Sequence, residues 1–341
     1  MGILEERTKI LLHQMELTQW KKHEVMSSLF KHPIMNREDL RAIKMDKGYY
    51  SAKTSGSTGI PLTIEKTLED YTWFVASNIR DFRWRKWDVT KNVAVIKTSA
   101  TETVYNSWGI PFEIEPKQGL MFSNNYKPIS ELQEWLEKIN PHYINCFPSI
   151  FKLIDTSKLS NFIDWKGTGE VGGRSYSSEE CGVIALECPD NPNVMHVMEN
   201  HHVERDEDGG MIITTFTNPY IKRYKNGDHI EFGECKCGRG LQTIAKVKGR
   251  IRNMFVLPNG DKKWPLIGSL EFYDTFGIKR YKAIQRTLDE LELQIICEPL
   301  NEREEELKTL VKEWINSPIN VIITYVDEFP NYKHEEFISL I

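Results

Sequence analysis

The chain has 341 residues, 40% of them hydrophobic, which is enough apolar material for a large core and favours two domains over one. Its 44 basic residues are scattered among 49 acidic ones, and the resulting net charge of −5 disfavours nonspecific binding to nucleic acid. No segment approaches the roughly eighteen apolar residues of a membrane span, and the charged first residues are not typical of a signal peptide. We therefore expect a cytoplasmic protein that spans no membrane.

Helical and strand patterns alternate through the first half of the chain. Apolar residues at three- and four-residue spacings predict an interrupted helix within residues 1–30, which Pro33 ends. An apolar stripe over residues 69–87 predicts a second helix, and the sequence at 92–97, NVAVIK, is typical of a buried strand.

The same alternation continues toward residue 165. Residues 130–138 predict a helix with Ser130 as its N-cap and Gln133 as the capping-box partner. The sequence YINCF predicts the next strand, and Pro148 opens another short helix. Strands followed by helices predict an α/β fold with a largely parallel sheet.

The second half of the chain predicts shorter strands. Residues 211–215 and 229–233 are strand-like, and Asn226 with Gly227 is typical of a tight turn before the second of them.

The C-terminal residues change in character. They predict a strand at 291–297, a charged amphipathic helix at 302–315 and a β-branched strand at 320–326. Such a small α+β unit can fold alone and rotate on a hinge. We expect a large core over residues 1–250 and a mobile C-terminal lid domain over residues 251–341.

One loop combines hydroxyl side chains with glycines, so that several O–H and N–H donors can approach a polyanion closely. Phosphate is the natural ligand, although a flexible linker has the same composition. The loop is not a Walker motif, because no lysine follows its second glycine. Its candidate phosphate-binding residues are Thr54, Ser55, Gly56, Ser57, Thr58 and Gly59.

The loop sequence TSGSTGIP resembles the phosphate-loop signature of the adenylate-forming superfamily of acyl-CoA synthetases and adenylation domains, and further motifs follow in the family's order. The chain is most similar to a branch that contains phenylacetate-coenzyme A ligase, coenzyme F390 synthetase and the CapK proteins. Upstream, PIMNREDL resembles a segment of that branch, and the whole chain is short for the family. The resemblance implies an α/β core that binds ATP and a carboxylate, with mixed and parallel sheets.

Several residues match the family's nucleotide-binding motifs. The resemblance implies that Tyr176 packs beside the adenine and that Glu180 holds the Mg²⁺ that bridges the ATP phosphates. It also places Asp228 on the ribose hydroxyls, and Gly169 and Glu170 on ATP at a strand end. A helix that the family has after this strand end is missing here, which would reshape the acyl pocket.

Two further residues belong to the hinge and the lid of the family pattern. Arg250 follows Gly249 in the hinge motif and would contact ribose or phosphate. Lys333 stands where the family has its catalytic lysine, which would stabilise the charge that develops between the carboxylate and the α-phosphate. A lysine near a C-terminus can equally be a solvated charge.

Three cysteines and a histidine form a set with zinc-binding chemistry. Such a set can complete a tetrahedral structural site and leaves no position open for a catalytic water. The same positions resemble the Cys, His and Cys-x-Cys of the related branch, while unliganded thiols remain the alternative. The four candidate ligands are Cys188, His196, Cys235 and Cys237.

The remaining cysteines and a histidine pair have simpler interpretations. Cys146, Cys181 and Cys297 lie in apolar surroundings and are expected in the core. His201 and His202 are expected to be polar loop residues.

The resemblance implies a ligase that activates a small carboxylic acid with MgATP, releases pyrophosphate and transfers the acyl group to a thiol, coenzyme A above all, or to an amine. Structural zinc would be a further cofactor, no nucleic acid is expected as a partner, and a homodimer stays open. The pocket candidates His142, Tyr143, Phe147 and Pro148 favour an aromatic or small acyl group, although aromatic residues line cores more often than they line ligand sites. The alternative is a catalytically degenerate relative that binds nucleotide as a binding or regulatory protein.

Overall fold

The computed structural model of this protein describes residues 2–22, 24, 27–54, 62–97, 100–109, 112, 114–115, 117–125, 127–167, 173–207, 209–248, 255–263, 272, 275–329 and 337–339. Among them, no helix combines the length and the apolar character that crossing a membrane requires.

Six α-helices lie in the described residues, together with 3₁₀ turns at Ser27–Lys31, Thr156–Lys158 and Asn301–Arg303. The interrupted N-terminal helix and the long second helix are confirmed. The α-helices are α1 (Ile3–Thr18), α2 (Arg37–Ala42), α3 (Leu68–Trp84), α4 (Ile129–Ile139), α5 (Pro148–Phe151) and α6 (Glu304–Ile315).

Twenty strands form five sheets in the same part of the chain. They are β1 (Tyr50–Lys53), β2 (Thr63–Lys66), β3 (Val93–Ile96), β4 (Thr103–Tyr105), β5 (Met121–Asn124), β6 (Tyr143–Asn145), β7 (Asp164–Lys166), β8 (Ser175–Ser178), β9 (Gly182–Cys188), β10 (Asn191–Val197), β11 (His201–Arg205), β12 (Gly210–Thr215), β13 (Tyr224–Phe232), β14 (Thr243–Lys248), β15 (Phe255–Val256), β16 (Lys262–Lys263), β17 (Arg280–Thr287), β18 (Glu290–Ile296), β19 (Asn320–Tyr325) and β20 (Phe337–Ser339).

The predicted parallel sheet is present and has the strand order β4-β5-β3-β6-β7. All its neighbours are parallel except the edge strand β4. Helix α4 forms the crossover between β5 and β6 and packs Leu132 and Leu136 onto Ala94 and Ile144, all four of them buried. Both β3 and β6 are almost fully buried, as their apolar sequences indicate.

The predicted cap of α4 is wrong. The helix begins at Ile129 with Pro128 at the N-cap position, and a proline side chain has no acceptor for a first-turn N–H. Asp261 Oδ2 instead accepts from Ser130 N at 3.2 Å. Ser130 therefore lies within the first turn, where its hydroxyl donates to Asp261 instead of capping the helix.

A larger antiparallel sheet has the order β11-β12-β13-β14-β10-β9-β8. The predicted strands at 211–215 and 229–233 belong to β12 and β13, but the predicted turn at Asn226 and Gly227 is wrong because both lie inside β13. Ile212 pairs with Lys225 while Gly210 pairs with His229, so β13 bulges between these pairs. Gly227 has a φ of 89°, which a glycine adopts without steric cost.

The histidine pair also differs from the prediction, because His201 and His202 are buried in β11 and not in a loop. His201 has no exposed surface, and its Nε2 lies 3.0 Å from the carbonyl oxygen of Val183. Its Nδ1 lies 3.2 Å from the hydroxyl of Thr215. Burial lowers the pKa of His201 to about 3, so the imidazole is neutral in the folded protein.

The C-terminal strands and helix follow the prediction and form a sheet of order β19-β18-β17-β20 under α6. Leu293 and Ile295 of β18 pack against Leu307 and Val311 of α6 in a hydrophobic cluster of their own. The division into a core and a mobile C-terminal domain stays a prediction. The predicted boundary between residues 250 and 251 lies outside the described residues.

A buried ion network joins α3 to both large sheets. Arg85 lies 2.9 Å from Asp81 Oδ1 and 3.0 Å from Glu187 Oε2, and Lys166 lies 2.7 Å from Asp81 Oδ2. Arg174 donates to the same Glu187 oxygen at 2.7 Å. Burial opposes ionisation of Asp81, but Lys166 and Arg85 outweigh it and hold the pKa of this carboxyl below its ordinary value.

We expect Arg85→Met to lower the free energy of unfolding by about 3 kcal/mol, because it leaves buried carboxylates with fewer cations. The matched control is Arg83→Met on the same helix, since Arg83 is 47% exposed against 4% for Arg85. Its surface pair with Glu115 should contribute less than about 1 kcal/mol. Urea unfolding at pH 7 measures the free energy of unfolding of both variants. Equal losses for Arg85→Met and Arg83→Met would contradict a stabilising role of the network.

The buried neutral His201 predicts a pH dependence. The unfolded imidazole has a pKa of about 6.5, so its contribution to stability is complete above that pH and is lost as pH falls toward 3. Between pH 7.5 and 5.5 this loss should be about 1.4 kcal/mol. We expect His201→Gln to remove that part of the change in urea unfolding, whereas the exposed His13→Gln should retain it. Equal pH profiles for the two variants would contradict a neutral buried imidazole.

Candidate functional site

The predicted phosphate loop is the tip of a two-stranded hairpin made by β1 and β2. Its ends are closed by two bonds, from Thr54 N to Leu62 O and from Leu62 N to Thr54 Oγ1, both 3.0 Å long. Thr54 is only 6% exposed. The loop residues 55–61, which include the predicted Ser55, Gly56, Ser57, Thr58 and Gly59, lie outside the described residues.

Arg37 connects the base of this loop to Glu180. Its Nη2 donates to Thr54 Oγ1 at 2.5 Å, and its Nη1 lies 3.1 Å from Glu180 Oε1. Sequence reasoning gave Arg37 no role, although it noted the motif MNREDL. The available signal was a positive charge directly after Asn36, which starts α2 with a capping box.

Glu180 lies in the turn between β8 and β9 and is 7% exposed. Tyr224 donates its hydroxyl to Glu180 Oε1 at 3.3 Å, and the buried Lys66 donates to the Glu180 carbonyl oxygen. The neighbouring Glu179 is exposed. Of the two adjacent acidic residues, Glu180 is thus the one that faces the base of the loop.

Tyr176 and Asp228 meet directly. The Tyr176 hydroxyl donates to Asp228 Oδ2 at 2.5 Å, and the Asn226 amide donates to the Tyr176 oxygen at 2.6 Å. Burial, with Asp228 beside it, raises the pKa of Tyr176 well above its ordinary value, so the phenol stays protonated and donates. Asn226 was interpreted only as a turn residue; in the structure it orients both partners.

Strand β13 brings the two groups together. Its first residue, Tyr224, contacts Glu180, and its bulge carries Asn226 and Asp228 to Tyr176. Glu180 and Tyr176, predicted from one motif, therefore contact the strand that carries Asp228, and Arg37 links Thr54 to Glu180. A cavity of about 310 Å³ lies beside Tyr176, between β8 and the β10–β14 face.

Four further residues were predicted to bind the nucleotide or to act in catalysis. Gly169, Glu170, Arg250 and Lys333 all lie outside the described residues. Gly167 O accepts bonds from Arg174 N and Ser175 N at 2.8 and 3.3 Å. The end of β7 and the start of β8 therefore lie side by side.

Other predicted positions lie in the core. Tyr143, a candidate for the acyl pocket, stacks on Trp87 with ring centroids 4.3 Å apart, and its hydroxyl accepts a bond from Asp88 N. Tyr143 thus packs in the core, which is the alternative to a place in the acyl pocket. Cys146 and Cys181 are buried as expected, whereas Cys297 is half-buried.

The four predicted zinc ligands converge. The candidate ligand atoms of Cys188, His196, Cys235 and Cys237 all lie within 4.8 Å of one another. Cys235 Sγ is 3.6 Å from Cys188 Sγ, and Cys237 Sγ is 3.3 Å from His196 Nε2. Ligands of a tetrahedral Zn²⁺ are roughly 3.3 to 3.8 Å apart, so the donor set and its spacing fit that ion.

Comparison with solved structures finds the same fold at low sequence identity. In the thioesterification state with 2-HIB-AMP and CoA, 2-hydroxyisobutyryl-CoA ligase matches with a TM-score of 0.51 and 15% identity, over 99% of this chain and 89% of that chain. Its open conformation gives 0.50 and 15%, over 98% and 90%. Its postadenylation state with 2-HIB-AMP gives 0.50 and 14%, over 97% and 88%. The chain has the fold of the adenylate-forming ligases.

This result confirms the fold class that the motifs indicated, whereas membership of the adenylate-forming superfamily and of its phenylacetate-CoA ligase branch stays a prediction. No protein-family model matches this sequence, and no curated protein matches it either. The fold is therefore supported by the structural comparison, and the roles of individual residues depend on the motifs alone.

We expect the purified protein to bind one Zn²⁺ per chain through the four converging ligands. Cys237→Ser should lose the metal and melt at a lower temperature, because a closed site contributes its binding energy to folding. Cys297→Ser is the matched control and should keep the bound metal and the wild-type melting temperature. Elemental analysis and thermal unfolding with and without a chelator measure the two effects. A metal-free protein with an unchanged melting temperature would contradict the assignment.

Proposed function

We propose that this protein uses ATP to convert a carboxylic acid to an acyl-adenylate, with release of pyrophosphate, and then transfers the acyl group to a thiol or an amine. The observation that carries the proposal is that hydrogen bonds through Arg37 and β13 connect Thr54, Glu180, Tyr176 and Asp228 in a chain with this fold. Coenzyme A is the favoured acceptor, because it accompanies the acyl-adenylate in two of the similar ligase structures.

The nucleoside half of ATP would bind at Tyr176 and Asp228. Both contacts of Asp228 within the network fall on Oδ2, so Oδ1 is the atom for the ribose hydroxyls. The cavity beside Tyr176, with Met195 and Val247 in its lining, offers apolar surface for the adenine. This arrangement supports the predicted roles of both residues.

The triphosphate would bind at the other end, across the hairpin loop. Thr54 and the loop residues that follow would donate to the phosphates, and Glu180 would hold Mg²⁺. When bound, Mg²⁺ offsets the negative charge of the phosphates, and carboxylate and phosphate oxygens are the ligands it prefers. Both described groups lie at the base of the loop, which supports this orientation.

The reaction itself needs positioning and charge neutralisation more than covalent help. A carboxylate oxygen would attack the α-phosphorus, the bond between the α-phosphorus and its bridging oxygen would break, and pyrophosphate would leave. Lys333 would stabilise the charge on the α-phosphate and the carboxylate. Residues 251–341 would then rotate as the mobile domain, with Arg250 at the hinge, so that the acceptor reaches the acyl-adenylate.

The first test is pyrophosphate release from MgATP over a panel of aromatic, aliphatic, hydroxy and amino acids. We expect Lys333→Ala to reduce release at least 100-fold while ATP binding is retained, because the lysine acts on charge that develops in the transition state. The exposed Lys312→Ala is the matched control and should keep full activity.

Two outcomes would contradict the proposal. If the wild-type protein neither binds ATP nor releases pyrophosphate with any acid, the function is wrong. If it binds ATP but releases no pyrophosphate with any acid, a catalytically degenerate binding protein is the better description.

A further inference from the structure

We propose that Arg37 is a positioning residue that sets Thr54 and Glu180 for the same MgATP molecule. This inference rests on the proposed function. The observation behind it is a single guanidinium whose two terminal nitrogens bind two different groups, Thr54 Oγ1 at 2.5 Å and Glu180 Oε1 at 3.1 Å. These two groups lie 126 positions apart in the chain, from 54 to 180.

The backbone around Arg37 is held by contacts that do not involve the Arg37 side chain. Asn36 and Asp39 close a capping box at the start of α2. Met35 pairs with β13, donating from its N to Arg223 O at 3.0 Å and accepting from Lys225 N at 2.9 Å. Arg37 therefore projects from a segment attached to the same strand that carries Tyr224 and Asp228.

At Thr54, Arg37 determines what the hydroxyl can do. A hydroxyl has two acceptor lone pairs and one proton. Thr54 Oγ1 already accepts from Arg37 Nη2 and from Leu62 N, so both acceptor positions are used. Its proton is thereby left for another acceptor, which a phosphate oxygen of the bound nucleotide would provide.

At Glu180, Arg37 has the complementary effect. Arg37 and Tyr224 both donate to Oε1, which leaves Oε2 as the oxygen for a cation. The Glu180 side chain is 10% exposed, so the guanidinium also offsets the cost of burying its charge. One residue thus presents a donor for phosphate and an acceptor for the metal on that phosphate.

This geometry requires an arginine. A guanidinium is a planar fork with several fixed donors, whereas a lysine ammonium is a point charge on a flexible stem. Lysine at position 37 could neutralise Glu180 or approach Thr54, but it could not hold both in one orientation. The charge of Arg37 and its shape can therefore be separated by mutation.

Isothermal titration calorimetry on the full chain tests the proposal with two probes, ATP with Mg²⁺ and AMP without metal. We expect Arg37→Met to weaken ATP·Mg²⁺ binding at least tenfold, since it removes two charge-assisted contacts. AMP binding, which depends on Tyr176 and Asp228, should change less than about twofold. Arg37→Lys should resemble Arg37→Met, and the exposed Arg205→Met should resemble wild type.

Each outcome has one meaning. Unchanged or tighter ATP·Mg²⁺ binding by Arg37→Met would overturn the positioning role while the proposed function stands. Equal loss of ATP·Mg²⁺ and AMP binding would show a merely structural residue and would overturn it as well. If wild type binds neither probe, the proposed function fails and this inference fails with it.

Discussion

The buried ion network at the end of α3 is the contact on which the rest of the molecule depends. Asp81 and Arg85 come from the end of the helix, Lys166 from the last strand of the parallel sheet and Glu187 from the antiparallel sheet. Arg174, which directly precedes β8, also pairs with Glu187. Buried charges are tolerated only when each has a partner in good geometry. The network therefore fixes how the two sheets meet, and β8, which carries Tyr176 to its place, starts beside Arg174.

From that junction the site is built by strand pairing. Strand β8 leads to Glu180, and β13 lies in the same sheet with Tyr224, Asn226 and Asp228. The hairpin of β1 and β2 contributes only its closed base to the described part of the site. Two groups of contacts result, one suited to a nucleoside and one suited to phosphate and metal, at opposite ends of a short stretch of β13.

Much of the fold could be predicted from local patterns, because amphipathic helices and buried strands such as α3 and β3 have clear periodicities. The errors occur where partners distant in sequence decide the outcome. Asn226 and Gly227 have a strong local preference for a turn, yet pairing with β12 and β14 makes them a bulge within a strand. The local sequence around His201 predicts a polar loop residue. In the folded chain, β11 pairs with β12 and His201 is fully buried.

The candidate site shows the same division. Thr54, Glu180, Tyr176 and Asp228 could be proposed because each belongs to a short motif. Arg37 could not, since its partner Glu180 lies 143 positions away and no local spacing indicates the contact. The zinc set lies between these cases: residue types suggested its chemistry, and only the fold shows that the four ligand atoms meet.

The bulge in β13 has a consequence for how binding energies combine. Because the bulge carries both Asn226 and Asp228 to Tyr176, a change in its backbone displaces these two groups together. Substitutions at Gly227 and at Asp228 should then be non-additive, with the second loss smaller than it is in the wild-type background. Tyr224 pairs regularly with Ile213 before the bulge begins, so its contact with Glu180 is independent of the distortion.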